Sequence, residues 1–492
     1  MRPPGPRGST VLVVAGAALV CVAAGLARPP APIPPTGSVE PVQNVTLVCP
    51  RPVADRSTST ALGVVSPPEV GSADRDAEGR ATWTDLAVDS EATVALQAVG
   101  TAAAATVAKA TPTMPVVVDG EGAVAPGLAA GQVSRTVEGR GLGLRATGCA
   151  APAAEAWFVG GGADVGRRTT VWLTNPDSTP AVVDLRVFGP DGPLSVRGGS
   201  GILVPPRTQK PLRLDVLVPG TARTAVHVIA RAGRVSSAME DVNTRGLIPL
   251  GADFVPQAAP PTVSLVVPGV LGGTAGKRLL QVVAPGDADA IVAVKIVAED
   301  GTFAPDDAAV LEIPAGAVGQ VDLAPFLDGT VSAAVLLASD VPVVAGVRTV
   351  LPASSGRSES AYTAATPALG GPAAFGPVSV DDSRRPRVLL TAAEGEATVT
   401  LTLLDPSGGE PSQQLVVVAA GTTRTVALAG SWSGAGLVVT PEAGSGPVQA
   451  ALYLVDSGSY GVLVSTVPLL TGPATVTVPP VQPDPATGVP DS

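Results

Sequence analysis

The stretch VLEIPAGAVGQVDLAPF, residues 310–326, contains two short strand-like runs on either side of a Pro-Ala-Gly turn. Two very similar stretches are GILVPPRTQKPLRLDVL at 201–217 and QLVVVAAGTTRTVALAG at 414–430. The turns of the three stretches are about 105 to 109 residues apart along the chain. Each stretch predicts a β-hairpin, and the regular spacing indicates that a domain of roughly 100 residues occurs three times.

The residues before each of these hairpins follow one order of strands and turns. Two strands separated by a turn begin near residues 167, 277 and 385, and the second strand alternates with period two, as in AVVDLRVFG at 181–189. A further strand pair closes each repeat, and the strand count is about seven in roughly 100 residues. This count predicts an all-β protein of tandem immunoglobulin-like β-sandwich domains. A β-propeller with each repeat split into two blades is the alternative, although no period of about 40–50 residues is visible.

The composition supports strands over helices. Gly (57) and Pro (51) are frequent among the 492 residues, and the prolines are spread so evenly that few segments could form a helix of three turns. Val and Thr fill the segments between them, which favours strands. Only four of the 31 basic residues are lysines, a bias typical of GC-rich genomes such as those of actinobacteria. The formal net charge of −11 disfavours binding to nucleic acids.

The N-terminus contains a candidate membrane segment. Residues 8–27 form an uncharged run that is long enough to cross a membrane as one helix. Because Arg2 and Arg7 precede it, the positive-inside rule predicts a single-pass membrane protein whose N-terminus is cytoplasmic and whose bulk is extracytoplasmic. Cleavage as a signal peptide, which would give a secreted protein, is the alternative.

These features divide the chain into seven predicted segments. They are a membrane anchor or signal segment at 1–28, a Pro-rich spacer at 29–43, a more divergent β-domain at 44–150, β-sandwich repeats at 155–255, 262–353 and 375–469, and a Pro-rich tail at 470–492. The stretch at 352–377, rich in Ser, Ala, Gly and Pro, is interpreted as an exposed linker. Together, the β-domains are interpreted as a rod that is tethered to the membrane.

Two of the three cysteines are predicted to form a disulfide bond. Cys49 and Cys149 each end a strand-like run, one near each end of the divergent domain. Disulfides persist in exported domains, so a Cys49–Cys149 bond is favoured over two free buried thiols. Cys21 lies in the membrane segment, where a small apolar residue needs no further role.

Groups that could carry catalysis are scarce. His227 is the only histidine, and its context TAVHVIA favours a partly buried strand residue over a catalytic base. The shortage of His and Cys ligands also argues against zinc, so we predict no catalytic residue, no metal site and no cofactor. The four tryptophans could stack on sugars, but two of them, Trp157 and Trp172, lie in apolar strands where core packing is favoured. The other two are Trp83 and Trp432.

Several segments together resemble a known family. They are VTLVCPRP at 45–52, GLGLRATGCAAPAAEAWFVGG at 141–161, LTNPDSTPAVVDLRVFGPDG at 173–192 and ASDVPVVAG at 338–346, after the anchor and the spacer. With them the chain resembles a family of uncharacterised actinobacterial proteins that are anchored in the membrane and lie outside the cytoplasm. The resemblance implies an exported, non-enzymatic, all-β protein near the assembly of cell-envelope glycans.

The features favour a structural or interaction role. The anchor, the repeats, the acidic surface and the scarcity of catalytic groups predict a membrane-tethered scaffold or interaction protein of the cell envelope. A binding module for envelope polysaccharide is the alternative. The expected partners are therefore the membrane, through the N-terminal helix, and an envelope protein or glycan.

Overall fold

The computed structural model describes residues 38–53, 55–68, 78–86, 91–107, 114–273 and 275–478. Almost every regular element in this part of the chain is a β-strand, which confirms the all-β prediction. The predicted membrane segment, the beginning of the spacer and the end of the tail lie outside the described residues. Among the helices that are described, none is long and apolar enough to cross a membrane.

The strands fall into four consecutive groups, which we call units A to D. Unit A contains β2 Asn44–Cys49, β3 Thr58–Val65, β4 Gly79–Asp85, β5 Thr93–Leu96, β6 Ala102–Val107, β7 Val116–Gly122, β8 Ala129–Thr136 and β9 Gly143–Gly148. Unit B contains β10 Glu155–Val159, β11 Arg167–Asn175, β12 Ala181–Gly189, β13 Gly192–Leu194, β14 Ile202–Val204, β15 Thr208–Arg213, the short helix α1 Leu214–Leu217, β16 Ala225–Ala232, β17 Ser236–Arg245, β18 Ile248–Val255 and β19 Gln257–Ala258.

Units C and D continue in the same manner. Unit C contains β20 Thr262–Leu271, β21 Lys277–Val283, β22 Ala290–Ala298, β23 Gly301–Phe303, β24 Val310–Ile313, β25 Val318–Asp322, β26 Ser332–Pro352 and β27 Ser358–Ala364, with 3-10 helices at Asp306–Ala308, Ala324–Phe326 and Ser354–Gly356. Unit D contains β28 Ala373–Val380, β29 Arg387–Ala392, β30 Ala397–Leu404, β31 Ser412–Val418, β32 Thr422–Ala427, β33 Trp432–Pro441, β34 Gln449–Gly458 and β35 Gly461–Leu469. The terminal strands β1 Ser38–Pro41 and β36 Thr475–Val478 form a two-stranded sheet of their own.

All four units have one strand topology. In unit A the first sheet has the order β2-β7-β4-β5 and the second has the order β6-β3-β8-β9. Numbered within the unit, these orders are 1-6-3-4 and 5-2-7-8, and unit D repeats them without change. Units B and C repeat them with small additions, and in unit C the sixth and seventh strands are the two halves of β26. The domain predicted to be divergent therefore has the same topology as the three repeats.

The interleaved strand order disagrees with the propeller alternative. Splitting a repeat into two blades would place strands one to four in one sheet and five to eight in the other. Instead, the second strand of each unit pairs with the fifth and seventh, and the third strand pairs with the fourth and sixth.

The prediction that the repeated stretch is a hairpin is also wrong, because its two strands do not pair with each other. β24 pairs with β22 in the first sheet of unit C, whereas β25 pairs with β21 in the second sheet. Residues 314–317 therefore cross from one sheet to the other, and the turn is closed by a hydrogen bond of 2.9 Å from the Ala317 amide to the Pro314 carbonyl. The two related stretches cross between sheets in the same way. A short turn between two alternating runs looks the same in sequence whether it joins paired strands or opposite sheets.

Each unit has a hydrophobic core between its two sheets. In unit C, Leu280 and Val282 of β21 and Val292 and Val294 of β22 are fully buried in one cluster. These strands belong to different sheets, so the cluster joins the sheets across the unit. Burying one such side chain contributes about 1.5–3 kcal/mol relative to leaving it exposed. Units A, B and D have equivalent clusters.

The prediction of an exposed linker at 352–377 is wrong for part of this stretch. β27 lies within it, is almost entirely buried and pairs with the second half of β26. It is the eighth strand of unit C, although it lies outside the predicted repeat at 262–353. Small side chains such as Ser358, Ser360 and Ala361 suit a crowded contact between strands, and the same residue types caused the stretch to be interpreted as a linker.

Within residues 41–475 the units form a closed cycle, which corrects the expectation of a rod. The eighth strands lie next to one another, since β9 contacts β18, β18 contacts β27, β27 contacts β35 and β35 contacts β9. In addition, the first sheet of unit B contacts the second sheet of unit C, and the same relation holds from unit C to D and from D to A. The last unit therefore packs directly on the first.

Gly251 in β18 allows two of the eighth strands to approach closely. Its φ is +103°, and a Cβ atom at this position would lie 2.4 Å from the Ser360 amide nitrogen of β27. Gly251→Ala combines a strained backbone with a direct clash, so we expect the free energy of unfolding to fall by about 2 to 4 kcal/mol. Urea unfolding measures this loss. Gly286→Ala, at an exposed position where an added Cβ would have no atom within 4 Å, is the control and should leave stability nearly unchanged; equal stability of the two variants would contradict the described contact.

Candidate functional site

The predicted disulfide is present. Cys49 at the end of β2 and Cys149, directly after β9, are bonded, and their Cα atoms are 4.2 Å apart. β2 is in the first sheet of unit A and β9 is in the second. The bond therefore connects the two sheets of this unit covalently and closes a loop of about 100 residues.

His227 lies in a contact between two strands. Its Nε2 atom is 2.7 Å from Glu155 Oε1, and its ring stacks on Trp157 with a centroid distance of 3.8 Å. Trp157 Nε1 donates a hydrogen bond to the same Glu155 oxygen at 2.9 Å. Burial lowers the pKa of His227, and the neighbouring carboxylate opposes this change. The residue is largely buried in β16, in keeping with the strand position that the sequence predicted.

The tryptophans divide between the core and the surface. Trp157 is buried among apolar side chains of units B and C, as predicted. Trp83, Trp172 and Trp432 are half-buried, so none of the four presents a fully exposed ring. In the part of the chain that the structure describes, no group of three or more His, Cys, Asp or Glu side chains is placed to hold a metal ion.

Asp253 in β18 lies where the four eighth strands meet. Its Oδ1 atom accepts hydrogen bonds from the Ser465 hydroxyl of β35 at 2.8 Å and from the Ala146 amide of β9 at 3.3 Å. Its Oδ2 atom accepts from the Tyr362 amide of β27 at 3.3 Å. One fully buried carboxyl group thus connects all four units. Burial raises the pKa of Asp253 well above its usual value, although these hydrogen bonds oppose the shift.

A second acid, Glu359, is buried in the same region. It lies on β27 and is 2% exposed. Burial raises its pKa to about 8, while the positive charges of Arg145 and Arg357 act in the opposite direction. Arg145 itself pairs with Glu240, with Nε 2.9 Å from Oε1. Glu359 therefore carries its proton at neutral pH in the folded protein.

A buried ion pair of unit B is hydrogen-bonded to a tyrosine of unit C. Arg167 of β11 donates to both carboxylate oxygens of Asp241 in β17 at 3.1 Å. Tyr362 of β27 donates its hydroxyl proton to Asp241 Oδ2 at 2.6 Å and accepts from Arg167 Nη2 at 2.8 Å. The Thr169 hydroxyl donates to Asp241 Oδ1 at 2.6 Å. The positive charge keeps the pKa of Asp241 low despite its burial.

A cavity of about 470 Å³ lies beside this ion pair. Four arginines from the two units line it, namely Arg167, Arg223, Arg245 and Arg348. Among the described residues that line the cavity, Asp164 is the only acidic one. The surface of an acidic protein is here locally basic, and guanidinium groups in this arrangement can hold an oxyanion.

These arginines are not among the functional residues that the sequence predicts. Arg348 lies in the apolar run VVAGVRTVL at 343–351. A charged residue at a buried strand position is unusual, and this could have marked Arg348 as a functional candidate. The other arginines occur in ordinary polar contexts, and residues as far apart as Arg167 and Arg348 meet only because units B and C pack together.

The comparisons with known proteins give one match. A family model described as a family of unknown function, DUF5719, matches residues 98–429. This is about two thirds of the chain and extends from just before β6 to just after β32. No curated protein and no solved structure was found to match the chain.

Proposed function

The chain belongs to DUF5719, a family of unknown function, and we propose that it is a non-enzymatic scaffold or interaction protein of the cell envelope. The observation that carries this proposal is the closed cycle of four units, joined at its centre by Asp253. Such a cycle holds the four units, and therefore their surfaces, in fixed positions relative to one another. A fixed arrangement of surfaces suits a protein whose role is to bind and position others.

We propose further that the protein is extracytoplasmic and tethered by residues 8–27. The Cys49–Cys149 bond supports this location, because disulfides persist outside the reducing cytoplasm. The uncharged run after Arg2 and Arg7 supports the tether, and the scarcity of lysine supports an actinobacterial source.

Each unit is proposed to be an immunoglobulin-like sandwich. Two antiparallel four-stranded sheets that share one hydrophobic core support this classification. The eight strands per unit exceed the about seven predicted from the sequence; in unit C the eighth strand, β27, lies outside the predicted repeat.

The scaffold proposal is tested by crosslinking the full-length protein in its native cells and identifying the products by mass spectrometry. We expect a small, reproducible set of envelope proteins at near-stoichiometric yield. Gly251→Ala, which disturbs the cycle, should reduce these products, whereas Gly286→Ala should not.

A purely glycan-binding role would give a different result. Saturable binding to isolated cell-wall polysaccharide that is lost when Trp83, Trp172 or Trp432 is replaced by alanine, together with no protein crosslinks, would contradict the scaffold proposal and support the polysaccharide-binding alternative.

A further inference from the structure

The arginine-lined cavity is formed by units B and C together. Arg167, Arg223 and Arg245 come from unit B, and Arg348 comes from β26 of unit C. Its volume of about 470 Å³ lies within the range of small-ligand sites. The contact between the two units is thus also the place where positive charge accumulates.

The charges around the cavity do not cancel. Asp241 neutralises Arg167 through the two-oxygen contact described above. Asp164 is exposed and can offset one further charge. Arg223, Arg245 and Arg348 have no carboxylate within ion-pair distance among the described residues. The cavity therefore carries excess positive charge in a chain whose net charge is −11.

Arg348 is the most unusual of the four. It is 8% exposed, and its buried Nε atom has no hydrogen-bond partner in the described part of the chain. Its Nη2 atom donates to the Ser360 hydroxyl at 3.2 Å, and its guanidinium lies 5.9 Å from the centre of the Tyr362 ring. A buried cation without a carboxylate is costly unless something else compensates it. Burial lowers the pKa of Arg348 and the nearby charge of Arg167 acts in the same direction, whereas Tyr362 and the Asp241 carboxylate oppose the shift. An anion in the cavity would also oppose it.

Arg223 lines the cavity from unit B, opposite Arg348 of unit C. Its Nε atom donates to the Val318 carbonyl of unit C at 2.7 Å, which fixes the side chain across the contact. Arg223 is also one of the residues that line the cavity. Two guanidinium groups held in place by other bonds can bind phosphate or carboxylate oxygens with little loss of side-chain entropy.

We infer that the cavity between units B and C binds the phosphate or carboxylate group of an acidic ligand. The oxyanion contacts Arg348 and Arg223, and Arg245 contributes charge near the opening. The volume exceeds what one oxyanion fills, so the remainder of the ligand lies against neutral residues such as Gln281, Gln320 and Asn243. This site is independent of the scaffold proposal.

The inference is tested by isothermal titration calorimetry of the purified full-length chain at low ionic strength with two probes, inorganic phosphate and glucuronate. We expect saturable one-site binding of at least one probe, weakened by added NaCl. Binding of phosphate alone identifies a phosphorylated ligand class, and binding of glucuronate alone identifies a carboxylate class.

Three variants locate the binding. Arg348→Gln and Arg223→Gln should each weaken the affinity by about tenfold or more, because each removes charged hydrogen bonds to the anion. Arg385→Gln removes an equal charge at an exposed position far along the chain in unit D and should not change it. Thermal unfolding shows whether Arg348→Gln still folds, and the half-exposed Arg223 provides the second test if it does not. No binding of either probe, or equal losses in all three variants, would overturn the inference.

Discussion

Replacing both Cys49 and Cys149 with alanine is expected to lower the free energy of unfolding by about 4 kcal/mol. The disulfide closes a loop of 100 residues, and constraining so long a loop removes much of the entropy of the unfolded chain. The effect should extend beyond unit A, because Leu142 and Leu144 of unit A belong to the hydrophobic cluster of unit D.

Urea unfolding of the double variant and of the wild-type protein with and without reductant measures this loss. Cys21→Ala is the matched control, since it removes the cysteine that takes no part in the bond. Before unfolding, alkylation under denaturing conditions without reductant should label neither Cys49 nor Cys149 in the wild-type protein. Full labelling of both, or equal stability of the double variant and the control, would disprove the stabilising bond.

The sequence was sufficient to predict the strands and the repeat. Alternating runs such as 181–189 and 310–313 form strands because alternation places apolar side chains on one face. The spacing of the similar turns predicted the three repeats. Sheet pairing could not be predicted in this way, because the pattern of β24 and β25 is compatible with pairing to each other or to distant strands.

The closed cycle and the cavity could not be predicted from local patterns. Asp253 lies in GADFVP and Glu359 lies in SESAYTA, and both contexts look like ordinary turns or strand ends. Their burial depends on contacts between strands more than 100 residues apart, such as that of Asp253 with Ala146. Of the contacts described above, only the disulfide was predicted from the sequence. The prediction was possible because disulfides persist in exported domains and because both cysteines end strand-like runs.

Glu359→Gln is expected to remove a large part of the pH dependence of stability between pH 4.5 and about pH 8. In the unfolded chain this carboxyl has a pKa near 4.5, and burial raises it to about 8 in the folded protein. Between these values the folded state binds more protons than the unfolded state, so stability decreases as the pH rises. The stabilising effect of the proton is complete below pH 4.5 and is lost once the pH passes about 8.

The size of this effect follows from the difference between the two pKa values. A difference of about 3.5 units corresponds to a loss of roughly 4 to 5 kcal/mol across the interval, as an upper value. Glutamine has the same shape and cannot ionise, so Glu359→Gln should be the more stable protein at pH 8 and lose this advantage at pH 4.5.

Urea unfolding at several pH values compares Glu359→Gln with the wild-type protein. Glu312→Gln, at an exposed position of β24, is the control and should follow the wild-type curve. The buried Asp253 is present in all three proteins and contributes equally to each curve. If the curves of Glu359→Gln and the wild-type protein are parallel, Glu359 does not hold its proton in the folded state.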